Sequence, residues 1–269
     1  MALLSLAHIC LLPLTPPEMV STAAEAGFGA VGLRLEPAIP EEARFPMLGG
    51  AAMMKETKRR LRDTGLRVLD AEVFRLISGQ SFNRYRPALE ACAELGVSEL
   101  LTTCNIKDRS EAADLLTEAC DVANEYGLNI NIEFMPWQAL NDLKTAIELL
   151  RSVDRENGVL LVDTLHVHRS NVPLEELAAV DPARMRYIQI CDATTPPPDF
   201  DTMLFQARFE RLMPGDGVIP LQSYLEVLPK TLPVSAEVPM RTRLAEIGPL
   251  ALAKEAYVKT RQALDQADW

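Results

Sequence analysis

Short apolar runs alternate along this chain with longer stretches whose apolar residues recur at helical spacing. The runs fall at residues 3–10, 30–35, 66–74, 98–104, 128–134, 159–163, 185–190 and 233–238. Residues 159–163 (Val-Leu-Leu-Val-Asp) set the type, continuously apolar until a carboxylate ends the run. A run without polar alternation is consistent with a strand buried on both faces, as in parallel sheets covered by helices. Helices are expected over residues 15–26, 51–63, 87–95, 108–126, 140–153, 173–180, 221–228 and 247–264. Thr15 can cap the first, with Pro16 and Pro17 in its first turn and Glu18 at its positive end. Gly27, Gly65, Gly96 and Gly127 stand where four of the helices should stop.

Eight strand–helix units in strict alternation imply parallel strands joined by right-handed crossovers, hence the α/β class. Eight such units favour closure into a (β/α)8 TIM barrel, typically about 250 residues. One domain over residues 1–269 is expected, since no linker divides the chain. Two long connections stand out, residues 36–50 and 194–217. The second is long enough to cover a pocket. It carries Pro196-Pro197-Pro198, and Phe205 and Phe209, four apart, predict a short helix within it.

The composition narrows the function classes. With 48% hydrophobic residues the chain can bury a large core. A net charge of −11 argues against nucleic acid as a partner, because phosphate contacts need a basic face. The five cysteines form no Cys-x-x-Cys pair and are odd in number, which suits small apolar residues in a reduced, cytoplasmic protein. The apolar start lacks a basic leader region and reads as the first strand. No apolar run approaches the roughly 20 residues of a membrane helix, so no membrane partner is expected. Neither a Gly-x-Gly-x-x-Gly turn nor a phosphate loop follows any strand.

The candidate chemistry lies at strand ends, where α/β barrels place their active sites. Four successive strands end near Glu133, Asp163, Gln189 and Glu237. One carboxylate at a strand end is ordinarily just solvated; four acceptors on neighbouring staves can converge. Three carboxylates cannot crowd together ionised without something positive between them. Oxygen donors of this kind suit Mg²⁺ or Mn²⁺. His166 follows Asp163 by three residues, while His168 and Arg169 can anchor the next loop. Glu72 can hydrogen-bond substrate hydroxyls, and His8 can line the pocket floor. Arg34, Arg75, Lys107, Arg208 and Arg211 are candidate clamps for an anionic group.

The order of these residues resembles the xylose isomerase-like TIM barrels, the sugar-phosphate isomerase/epimerase superfamily. Asp163-Thr-Leu-His166-Val-His-Arg169, Tyr187-Ile-Gln189-Ile-Cys-Asp192, Arg211-Leu-Met-Pro-Gly215-Asp-Gly217 and Ala236-Glu237 carry the resemblance. That superfamily includes ketose 3-epimerases, inosose dehydratase and 3-dehydroshikimate dehydratase. The resemblance implies that Glu133, Asp163, Gln189 and Glu237 bind a divalent metal and that His166 contacts substrate. Sugar epimerases usually carry His where this chain has Gln189, which looks more like some dehydratase members. The endonuclease branch uses extra metal-binding histidines, and this chain has only His8, His166 and His168.

In this chemistry a hydroxyl and an adjacent carbonyl chelate the metal, and the enediolate formed on losing the carbon-bound proton is stabilised. A carboxylate on each face can move that proton, and Glu133 and Glu237 are the candidates. The leading expectation is a metal-dependent isomerase or epimerase acting on a keto-sugar or polyol. A dehydratase of the 3-dehydroshikimate or inosose type and a non-catalytic sugar-binding barrel are the alternatives. The partner is then a small sugar, polyol or cyclic keto-acid. A homodimer would be in keeping with barrels of this kind.

Overall fold

A computed structural model describes residues 2–39, 41–48, 50–195 and 199–269. Pro196-Pro197-Pro198 therefore lies outside the described residues, as do Pro40 and Gly49 of the first long connection. Eight strands form a closed parallel barrel in sequence order. They are β1 (Leu4–Leu6), β2 (Ala30–Arg34), β3 (Arg67–Leu76), β4 (Glu99–Cys104), β5 (Asn129–Glu133), β6 (Gly158–Asp163), β7 (Met185–Ile190) and β8 (Val234–Ala236). β1 closes the ring on β8, with Leu4 opposite Val234 and Leu6 opposite Ala236.

The outer ring begins with α1 (Pro16–Ala26), where Thr15 and Glu18 form a capping box and Gly27 stops the helix at φ 104°. It continues with α2 (Ala52–Thr64), α3 (Arg86–Leu95), α4 (Arg109–Asn124) and α5 (Leu143–Val153). Their apolar faces pack on the outside of the barrel in one continuous core. A second, smaller cluster of Ala30, Leu69, Leu101, Leu161 and Tyr187 is separate from it. Because strand side chains alternate, Leu101, Leu161 and Tyr187 share faces with Thr103, Asp163 and Gln189 two residues on. Below the rim the barrel interior is therefore mixed, since by the same alternation buried Glu99, Asn131 and Ser235 share it with Leu101, Leu161 and Tyr187.

Three local features differ from the sequence expectation. The first strand stops at Leu6, and His8–Leu11 is a 3-10 turn. No helix is expected directly after Asp163, yet Thr164–Arg169 is one, α6, because the Asp163 side chain accepts from the Leu165 amide and caps it. After the short α7 (Leu174–Ala178), the predicted helix in the long connection is α8 (Phe200–Phe209). Beyond α9 (Leu221–Val227), the closing segment is two helices, α10 (Arg241–Ile247) and α11 (Pro249–Gln266). Gly248, at φ 78°, breaks them apart. All five cysteines are buried free thiols. Among the described residues no helix is long and apolar enough to cross a membrane.

Candidate active site

The rim at the C-terminal ends of the strands carries the polar side chains. Register explains how they meet. Glu133 lies opposite Leu161, so Asp163 stands two residues further along β6, level with Gln189 on β7. The β7–β8 ladder continues past Ala236, because the Glu237 amide donates to the Ile190 carbonyl at 3.0 Å. All four side chains are buried.

Arg211 holds two of them together. It donates to Asp163 Oδ2 and to Glu237 Oε2, each at 2.7 Å, and its Nε donates to the Ala207 carbonyl at 2.8 Å. Its place is set by Asp192, whose carboxylate accepts from the amides of Ala193, Ile219 and Gly215 at 2.8, 2.9 and 3.1 Å. A two-way backbone pairing of Asp192 with Leu212 adds to that anchor. Gly217 is required here: a Cβ would lie 2.3 Å from both the Ala193 carbonyl and Asp192 Oδ1. Gln189 Nε2 donates to Glu237 Oε1 at 2.8 Å, which leaves Gln189 Oε1 buried without a protein partner.

His166 sits in the first turns of α6 with Nε2 at 3.6 Å from Glu133 Oε1 and 3.8 Å from Asp163 Oδ2. Trp137 meets its ring edge-on at 5.1 Å. Burial pushes this imidazole down to about 4, so it is neutral at physiological pH. Burial, followed by the charge of Asp163, raises the Glu133 carboxyl well above the ordinary range. Burial also raises Glu237. Desolvation is also the largest single effect on Asp163, but the Arg211 guanidinium, His166 and the hydrogen bonds it makes together outweigh it and hold it below the usual carboxylate range.

The arrangement suits a cation. Ligand atoms of Glu133, Asp163 and His166 lie within 4.8 Å of one another, all buried. Glu133 accepts no hydrogen bond from the described residues, and the orphan Gln189 Oε1 is a further oxygen donor. Three carboxylates face one guanidinium, so a divalent ion would relieve the excess negative charge. His166 is thus as close to the carboxylates as a ligand would need to be, a position the sequence pattern alone did not separate from substrate contact.

The remaining candidates distribute unevenly. A cavity of about 620 Å³ opens over the rim, and Arg34, Glu72, Glu133, His166, Arg211 and Glu237 all line it. Glu72 accepts from the Ile9 amide at 3.2 Å and lies 3.5 Å from Arg34, which also pairs with Glu42 at 3.0 Å. Arg75 and Arg208 line the same cavity, whereas Lys107 lines a different one. His8 is not among the walls. Its Nδ1 accepts from the Arg34 amide at 2.8 Å and its Nε2 meets the Leu14 carbonyl at 2.9 Å, so both nitrogens serve to fix the strand ends. Trp137, Leu204 and Phe209 add apolar wall that the sequence pattern did not single out.

Comparison with known proteins agrees with this fold. An inosose isomerase from Bacillus velezensis is 28% identical over 156 residues, 54% of this chain and 54% of that protein. The chain thus spans about half the length of the curated relatives it matches first. A 3-dehydroshikimate dehydratase from Pseudomonas aeruginosa is 25% identical over 224 residues, 78% of this chain and 33% of that protein. A crystal structure of IolI protein with a bound zinc atom superposes with a TM-score of 0.81 at 20% identity, covering 100% of this chain and 98% of that one. Residues 20–264, nearly the whole barrel, match one family directly, and on that match this chain belongs to the xylose isomerase-like TIM barrel family.

Proposed function

We propose that this chain is a divalent-metal-dependent enzyme of the isomerase or epimerase type, moving a proton at the carbon beside a ketone in a keto-sugar or polyol-derived ketone. The observation that carries the reading is the convergence of Glu133, Asp163, Gln189 and Glu237, from four successive strands, beneath one cavity. Those four residues hold the ion in this reading, with His166 beside them. Bound there, the cation supplies Lewis acidity to a ketone and its neighbouring hydroxyl. Mn²⁺ or Mg²⁺ fits the oxygen-rich donor set, while the imidazole and the zinc of the IolI structure favour Zn²⁺ as the alternative.

Glu133 and Glu237 act as the proton-moving groups on opposite sides of the reacting carbon. Glu133 accepts no hydrogen bond from the described residues, which leaves its lone pairs for a substrate proton. Arg211 and Gln189 fix the orientation of Glu237. Neutral His166 donates from Nε2 to the substrate oxygen on which charge grows. Glu72 and Arg34 reach substrate hydroxyls on the far side of the cavity. Trp137, Leu204 and Phe209 exclude water above.

A dehydratase shares the first proton transfer and then expels a hydroxyl. Gln189 in place of a histidine and the long match to the Pseudomonas dehydratase favour that second reading. Proton NMR in D₂O with metal and a panel of inososes, ketohexoses and 3-dehydroshikimate separates the two. Exchange of one carbon-bound proton without loss of water supports the isomerase; loss of water supports the dehydratase. Binding without any exchange makes the barrel non-catalytic and ends the proposal. Glu237→Gln should lower the exchange rate by about a hundredfold or more while the fold persists.

A further inference from the structure

Resting on the reading just given, we infer that the substrate carries an anionic group, a carboxylate or phosphate, which Arg75 and Arg208 grip on the side of the cavity away from the proton-moving carboxylates. Four arginines line the cavity, and two of them are neutralised within the protein. Arg34 is paired with Glu42 and Glu72, and Arg211 with Asp163 and Glu237. Arg75 and Arg208 have no carboxylate within ion-pair distance among the described residues. Among the described residues the Arg75 guanidinium has one acceptor, the Ala38 carbonyl.

The two come from different parts of the fold. Arg75 stands near the end of β3, three residues beyond Glu72, and is half-buried. Arg208 lies in the last turn of α8 and is exposed on its solvent side. Burial, with the nearby charges of Arg208 and Arg34, pushes the Arg75 pKa down. Arg75 and Arg208 share the lining of one cavity, and an anion there would supply the half-buried Arg75 with the counter-charge it lacks among the described residues. Guanidinium forks match the planar oxygens of a carboxylate or the face of a phosphate. In a chain of net charge −11, such a spot stands against the general field and marks where an acidic ligand is tolerated. An anion bridging the two would also tie α8 to the barrel rim, closing the apolar wall of Leu204 and Phe209 over the reacting carbon.

The test compares three ketoses that differ only at C6: neutral D-fructose, D-fructuronate with a carboxylate, and D-fructose 6-phosphate. Calorimetric binding to the metal-loaded protein should favour at least one anionic compound over fructose by about tenfold or more, as charge-assisted hydrogen bonds of this kind give. Which anion wins identifies the group. In Arg75→Gln/Arg208→Gln the ratio should fall to within about twofold, and each single variant should lie between. Circular dichroism melting confirms that the variants fold; if the double variant does not, the single variants carry the comparison. Equal binding of all three, binding of none, or a preference that survives both substitutions overturns the inference. Proton exchange without anion preference leaves the enzymatic reading standing and removes this one. Arginine-dependent anion binding without exchange does the reverse.

Discussion

Replacing Arg211 by methionine removes the guanidinium that pairs with two of the three buried rim carboxylates, Asp163 and Glu237. Its two terminal nitrogens each lie 2.7 Å from a carboxylate oxygen, and its side chain is 4% exposed, against 0% for Asp163 and 5% for Glu237. Water can reach the freed oxygens only through the cavity that Arg211 and Glu237 line, and only in part. Breaking a buried ion pair from one side costs about 3–5 kcal/mol, because the partner is left charged and desolvated. Two partners are orphaned here, but protonation of Glu237, already raised by burial, caps the penalty near that range. For a chain of this size the loss corresponds to a fall in melting temperature on the order of 10 °C. Arg211→Lys retains the charge but cannot span both oxygens and the Ala207 carbonyl, so it should recover only part of the loss. Differential scanning calorimetry of the three proteins, metal-free and at one pH, measures this. A methionine variant that melts within about 2 °C of wild type would mean that the guanidinium is not holding those carboxylates in solution.

Other expectations follow from the same structure. His8 is held neutral by burial, with its pKa lowered to about 4 from an unfolded value of 6.5. The unfolded chain then binds the extra proton between those values, so the contribution of His8 is full above pH 6.5 and shrinks by about 3 kcal/mol toward pH 4. Urea unfolding across that window should show the gap between wild type and His8→Gln narrowing by that amount, and a constant gap would contradict the assignment. Gly217→Ala forces a Cβ against the Ala193 carbonyl and should cost about 1–3 kcal/mol. A melting temperature unchanged in that variant would show the loop around Asp192 to be more yielding than its hydrogen bonds suggest. Saturating Mn²⁺, Mg²⁺ or Zn²⁺ at a hundred times its dissociation constant should stabilise the wild type by about 2.7 kcal/mol. Glu133→Gln/Asp163→Asn should lose that response, and equal metal stabilisation of both proteins would move the ion elsewhere.

Much of this architecture was legible in residue order, for physical reasons that also mark where legibility ends. β7 is found at the predicted residues, its β-branched and aromatic Tyr187, Ile188 and Ile190 standing between Pro182 and Asp192. Asp163 ends the apolar run of β6, but the mixed Thr164–Val167 that follows does not by itself announce a helix; the capping bond of Asp163 to the Leu165 amide does. Gly248 was visible as a residue but not as a break, because helical spacing continues on both sides of it. The convergence of Glu133, Asp163, Gln189 and Glu237 could be anticipated because closure brings successive strand ends together. The place of Arg211 could not, since it reaches Asp163 and Glu237 from a loop distant from both in sequence. His8 stood at a strand end like the others, yet its ring turns to the backbone of Arg34 and Leu14 instead of the cavity.

The seam where Leu4 meets Val234 has a consequence for how the molecule is made. The first and last staves are among the most distant partners in the chain, so this is the join that waits longest for its entropy of closure to be repaid. Glu237 follows the last stave directly, and its correct placement coincides with sealing the ring. The Ala7 amide, which donates to the Ala236 carbonyl at 3.1 Å, stitches the same join, and until it forms the edges of the first and last staves stay open to pairing with other chains.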